Sequence, residues 1–222
     1  MEEVALSNPT MIPGLQEFLL QCPGMSLLPI TDSRVVVLGD FAFLARAKDR
    51  PDISDSYRLR IEIPETFPID LPMVTEIGNK IPRNGFYHVN SDGSLCLGSP
   101  LRLLVKLSSS PTLPGYVSRC LVPYLYAISH KIRFGGPLPF SELKHGRDGE
   151  FQDYMELFSL THPEQVGQAI RLLGMKKRRA NKAMCPCGCE QRVGRCPFNR
   201  KLHKMRQLAS RTWFRNYWKD RE

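Results

Sequence analysis

Tyr57-Arg58-Leu59-Arg60-Ile61-Glu62-Ile63 alternates apolar or aromatic and charged side chains with a period of two. Such a series fits an extended strand with one buried face and one wet face. Upstream, Val35 to Leu38 and Phe41 to Leu44 form two apolar runs around Gly39-Asp40, which predicts two strands joined through a bulge or hairpin. Downstream, Pro64, Pro68 and Pro72 recur at four-residue spacing. Proline denies helix and inner strand their amide donors, so the chain there is irregular and returns as a short strand at Val74 to Ile77. The expectation is a four-stranded antiparallel meander. Before it, Leu15, Phe18 and Leu19 share one helical face between Pro13 and Gln21. After it, Ile81 to Ser110 has little periodicity and reads as a long loop, a feature that usually carries function in a compact domain. Three helices follow. The first carries Leu121, Leu125 and Ile128, with Pro123 tolerated in a first turn. The second runs from about Asp148 to Ser159 with Phe151, Tyr154, Met155 and Phe158. The third runs from Pro163 through Val166, Ala169, Ile170 and Leu173. Strands followed by helices, without βαβ alternation, give an α+β fold.

The 222 residues, 42% hydrophobic and 24% charged, exclude a disordered, collagenous or coiled-coil chain and suit one generous domain with an appendage. No apolar run approaches the ~18 residues of a membrane span. Met1-Glu2-Glu3 opens without the basic stretch of a secretory leader, so a cytoplasmic protein with no membrane partner is expected. The net charge of +9 is unevenly distributed. From Arg171 onward 16 Lys and Arg face 3 acids, whereas the first 170 residues hold 15 basic and 19 acidic side chains. Lys176-Lys177-Arg178-Arg179 marks the change, giving an expected catalytic domain over 1–175 and a basic tail over 176–222. Within the tail, Leu202, Met205, Leu208, Ala209 and Trp213 predict one amphipathic helix from Arg200 to Lys219. A tail of this charge seeks an acidic surface or nucleic acid, or folds back on the body.

The loop contains Tyr87-His88-Val89-Asn90-Ser91-Asp92-Gly93-Ser94-Leu95-Cys96-Leu97-Gly98. By residue type alone, a cysteine between two leucines is a buried core residue. Its setting argues otherwise. Gly93-Ser94-Leu95-Cys96-Leu97 resembles the Gly-x-x-Cys-Leu segment that bears the thioester cysteine of ubiquitin-conjugating enzymes. The proline-rich stretch Pro64-Glu65-Thr66-Phe67-Pro68, with Leu71-Pro72, lies where that family has its Tyr-Pro-x-x-Pro segment. The resemblance covers residues 13 to 160 and implies a ubiquitin-conjugating-enzyme-like fold with Cys96 as nucleophile. The family's catalytic asparagine stands eight residues before the cysteine, a position held here by His88, while Asn90 is six before it. Histidine at that position is similar to divergent bacterial members associated with antiphage defence. The chemistry needs an accessible thiol and a donor for the tetrahedral oxyanion, and either His88 or Asn90 offers one. For His88, a purely structural bond to the loop is the competing role.

Cys185-Pro186-Cys187-Gly188-Cys189, then Cys196 and His203, form a compact set of metal ligands. The spacing is similar to the SEC-C type of zinc motif. Zn²⁺ takes four thiolate or imidazole ligands in a tetrahedron, so Cys185, Cys187 and Cys196 are joined by His203, with Cys189 as the alternative fourth ligand. The zinc is structural.

Together these features lead to a thioester transferase. It would carry a ubiquitin-like modifier, or a partner protein's C-terminus, on Cys96 and pass it to an amine. No Gly-x-x-x-x-Gly-Lys phosphate loop is present, so the resemblance implies a separate activating enzyme as acyl donor. Among bacterial relatives the partner is a modifier or a nucleotide cyclase of the same operon. Two alternatives stand: a catalytically silent adaptor of the same fold, and a zinc-containing nucleic-acid-binding protein.

Overall fold

The computed structural model describes residues 12–29, 34–139 and 146–219; the Met1-Glu2-Glu3 start lies outside them. The chain divides into two compact units, Met1–Glu142 and Leu143–Glu222. The division therefore falls earlier than the expected 175/176.

The first unit is α+β. Strands β1 (Met25–Leu27), β2 (Arg34–Ala45), β3 (Ile53–Pro64) and β4 (Met73–Glu76) form an antiparallel sheet in the order β1-β2-β3-β4. Along β3, Tyr57, Leu59, Ile61 and Ile63 are buried while Arg58, Arg60 and Glu62 stay at least partly in solvent, as the alternation requires. Gly39-Asp40 is not a turn. Val35, Val37, Phe41 and Phe43 are buried in unbroken alternation through it, so β2 is a single strand of 12 residues. Gly39 serves a close approach instead: at φ 151°, a Cβ there would lie 2.0 Å from the Gly24 carbonyl oxygen. The strand that passes so near is β1, whose three residues are too few to show a period.

Helices cover one face of the sheet. Phe18 of α1 (Leu15–Gln21) heads a row of stacked rings with Phe41, Phe43 and Tyr57, each pair about 6.4 Å apart. Helix α2 (Pro100–Leu107) buries Leu101, Leu103, Leu104 and Leu107, which removes that stretch from the expected loop. Next, α3 (Leu113–Tyr116) leads through a π-turn, Val117–Leu121, into α4 (Val122–Phe134). The Val122 N–H reaches back five residues to the Val117 carbonyl. Pro123 follows directly in the first turn of α4, where the widened turn accommodates its missing donor and its ring.

The second unit is helical: α5 (Gly146–Phe158), α6 (Pro163–Gly174), α7 (Lys177–Ala180), α8 (Phe198–Leu208) and α9 (Arg211–Lys219). Helix α6 buries Val166, Ala169, Ile170 and Leu173. A Cβ on its Gly167 would come within 2.6 Å of the Trp218 ring on α9. This close packing places α5 and α6 with the tail instead of with the sheet. The single helix expected over Arg200 to Lys219 is two. Its stripe is interrupted at Ala209-Ser210, where the Ser210 hydroxyl accepts the Trp213 N–H at 3.1 Å and caps α9. Among the described residues no helix is long and apolar enough to cross a membrane.

Candidate active site and metal centre

A small hairpin adds itself to the edge of β4. Leu95 donates its N–H to the Val74 carbonyl at 2.8 Å, and Val89 pairs antiparallel with Leu95. One step away from the tip, the Cys96 N–H donates to the His88 carbonyl at 2.8 Å; one step toward it, the Asn90 N–H donates to the Ser94 carbonyl at 2.8 Å. Val89 and Leu95 are buried and anchor the hairpin in the core. Cys96 alternates with Leu95 and stands half-exposed, as does His88.

The ladder thus sets His88 opposite Cys96 and sets Asn90 opposite Ser94. The Asn90 side chain belongs to the turn: its Nδ2 donates to the Ser94 Oγ at 3.0 Å. Asp92 accepts both the Ser94 N–H at 2.9 Å and its hydroxyl at 2.6 Å, and these bonds hold the Asp92 carboxyl below its ordinary pKa. His88 has a left-handed backbone (φ 51°, ψ 46°), an uncommon state for a residue with a Cβ. Helix α4 clamps the segment just before it. The Tyr124 hydroxyl donates to the Tyr87 carbonyl at 2.8 Å, and Lys131 Nζ donates to the Phe86 carbonyl at 2.8 Å. Burial raises the Tyr124 pKa, with the nearby Cys96 adding to the effect; the hydroxyl therefore stays a donor. Of the other thiols in this unit, Cys120 is buried and pushed up to about 11, and burial also raises Cys22. Neither suits nucleophilic work at neutral pH.

In the second unit Ala183 to Val193 folds as a knuckle. The Cys185 N–H donates to Gln191 O at 2.8 Å and the Val193 N–H to Ala183 O at 2.9 Å. Gly188 (φ 81°) and Glu190 (φ 57°) turn the tip. The sulfurs of Cys185, Cys187, Cys189 and Cys196 all lie within 4.8 Å of one another. Three of the separations are 3.2, 3.6 and 3.5 Å, for the pairs 185–187, 187–196 and 189–196. A tetrahedron of ~2.3 Å metal–sulfur bonds places its sulfurs about 3.8 Å apart, so the four residues fit one metal ion. The Phe198 N–H also points at the Cys196 sulfur at 3.4 Å, as an amide supporting a thiolate does. Burial works against the Cys187 thiolate, but hydrogen bonds from Cys185 and Cys189 bring its pKa down to about 7. The fourth sulfur is that of Cys189. His203, the preferred fourth ligand from spacing, is not in the cluster: it is exposed on α8, along a groove next to Cys196.

Trp213, Phe214, Tyr217 and Trp218, interleaved with the basic residues of α9, pack within the unit. Phe214 and Tyr217 are buried, Trp213 stacks on Tyr217 at 5.0 Å, and Arg171 covers the Trp218 ring at 4.9 Å.

No protein-family model, curated protein or solved structure matches the chain.

Proposed function

We propose that the first unit is a ubiquitin-conjugating-enzyme-like acyl carrier and that Cys96 is its nucleophile. The observation that supports this best is the ladder pairing of a half-exposed Cys96 with His88 on a hairpin pinned to the sheet. The order of helix, four-strand meander, cysteine hairpin and helices is that of the resembled family. In the first step the Cys96 thiolate attacks the activated C-terminal carbonyl of a ubiquitin-like modifier. A carbon–sulfur bond forms and the activating enzyme's leaving group departs. In the second step a lysine amine attacks the thioester, the oxyanion forms and collapses, the Cys96 thiolate leaves, and the amine's proton passes to solvent. His88 supplies the N–H that stabilises the oxyanion. A zinc ion held by Cys185, Cys187, Cys189 and Cys196 keeps the second unit folded and takes no part in the transfer. The partners on this reading are a modifier or nucleotide cyclase, and its activating enzyme, encoded in the same bacterial defence operon.

The test uses the full chain with a ubiquitin-fold protein carrying a C-terminal mercaptoethanesulfonate thioester. Wild type should form a reductant-sensitive adduct on non-reducing electrophoresis. Cys96→Ala should form none, and Cys96→Ser should form an adduct that survives reductant. An adduct that persists in Cys96→Ala would remove Cys96 from the mechanism. A chain that binds the modifier tightly but never becomes acylated would be the silent adaptor instead.

A further inference from the structure

Helix α8 is amphipathic in a particular way. Phe198, Leu202 and Met205 are buried, which turns Arg200, His203 and Lys204 outward along a single stripe at i, i+3, i+4 spacing. That stripe lines a groove of about 580 Å³, together with Lys177 of α7 and Arg195 from the 3₁₀ turn Val193–Arg195. No acidic residue lines the groove. Lys177, Arg195, Arg200 and Lys204 are exposed, and none of them forms an ion pair or side-chain hydrogen bond among the described residues. Four like charges facing one cleft repel each other, and the fold provides no internal counter-charge. The rest of α7 (Arg178, Arg179) continues the same charge in solvent.

We infer that this groove binds the phosphodiester backbone of a double-stranded nucleic acid, without sequence preference. Two features select this ligand. An acidic protein partner that binds specifically needs a desolvated apolar or aromatic anchor, and the groove's lining holds no phenylalanine, tyrosine, tryptophan or large aliphatic side chain. The same lining lacks the ring platforms that hold single strands. What remains is an array of exposed cations lining one groove, which is sufficient for contacts to a backbone of regularly spaced phosphates. The inference does not depend on Cys96 or on any acyl chemistry.

Fluorescence anisotropy of a labelled 20-base-pair duplex, titrated with the metal-loaded full chain at several KCl concentrations, tests it. With about four phosphate contacts, log K should fall against log salt with a slope of about −3 to −4. Arg200→Ala with Lys204→Ala should weaken binding about tenfold at about 50 mM KCl and flatten the slope by about 2. All these side chains are exposed, and unchanged metal content and far-UV circular dichroism verify folding. Parallel DNA and RNA duplexes show which backbone is preferred. The inference fails if neither duplex binds at about 50 mM KCl. It fails equally if Arg192→Ala with Lys219→Ala, outside the groove, costs as much as the groove pair. It also fails if poly-glutamate of matched charge displaces the duplex as well as unlabelled duplex does, since the surface would then be a receptor for acidic protein.

Discussion

Cys96 is half-exposed while its neighbour Leu95 is buried in the core. The Val89–Leu95 pair fixes the strand phase, and alternation presents the thiol and His88 from opposite strands of one hairpin. This arrangement divides the work of the two candidate oxyanion residues. The Asn90 amide is engaged with Ser94 in the turn, so Asn90→Ala should leave transfer near wild type. His88→Ala should preserve the thioester but slow its discharge to lysine by ~10²–10³. His88→Asn should keep most of the rate, because asparagine supplies an amide N–H and is among the side chains best tolerated in the left-handed backbone held here. Single-turnover discharge of a preformed Cys96 thioester separates these outcomes. Full activity in His88→Ala would reduce His88 to a brace of the hairpin.

Among the elements, the knuckle and strand β2 make the most definite predictions. Purified under reducing, chelator-free conditions, the chain should hold about one zinc. Cys189→Ser should lower zinc affinity sharply while His203→Ala leaves it unchanged, as read by competition with a chromogenic chelator. The reverse result would place the imidazole in the site. In β2, Gly39→Ala drives a methyl group against the Gly24 carbonyl and should destabilise the first unit by about 1–3 kcal/mol, measured by urea unfolding. Periodicity made β3, β4, α1, α5 and α6 legible in the sequence, because each has enough residues to display a face. It could not show β1, with three residues, nor that Gly39 marks the passage of another strand, since that is a fact of tertiary approach. Helix α2 was readable from Leu101, Leu104 and Leu107, but a proline at its start and serines at its end gave it the look of a loop. The four cysteines were evident as a metal set. The choice of Cys189 over His203 depends on the turn made by Gly188 and Glu190, which leaves the third sulfur of the Cys-x-Cys-x-Cys run within 4.8 Å of the other three.

For the whole molecule, charge and length matter more than any one contact. Asp55 sits where β3 meets α4, is hydrogen-bonded by Ser129 at 2.8 Å and by Lys80, and forms an ion pair with Arg133 at 3.2 Å, while Ser129 also bonds the Tyr57 hydroxyl at 2.7 Å. Burial alone would raise its pKa, but the bonds from Lys80, Ser129 and the Ser56 N–H outweigh it and hold the carboxyl below its ordinary value of about 3.9. The sign follows: the stability this group contributes is complete above that value and is lost as pH falls through the lowered folded-state pKa. The first unit should therefore lose thermal stability as pH falls below about 4, and Asp55→Asn should flatten that dependence in calorimetric scans. An unchanged slope would assign the acid sensitivity elsewhere, with Asp92 the next group to substitute. The hairpin that ends in Cys96 imposes a constraint of another kind, one of parity. A slip of one residue in the pairing of Leu95 with Val74 and Val89 would exchange the places of Leu95 and Cys96 relative to the core, leaving a leucine in water and a thiol sealed in hydrocarbon. A change in the length of the turn between Asn90 and Ser94 is therefore tolerated only where the turn absorbs it and leaves this pairing in phase.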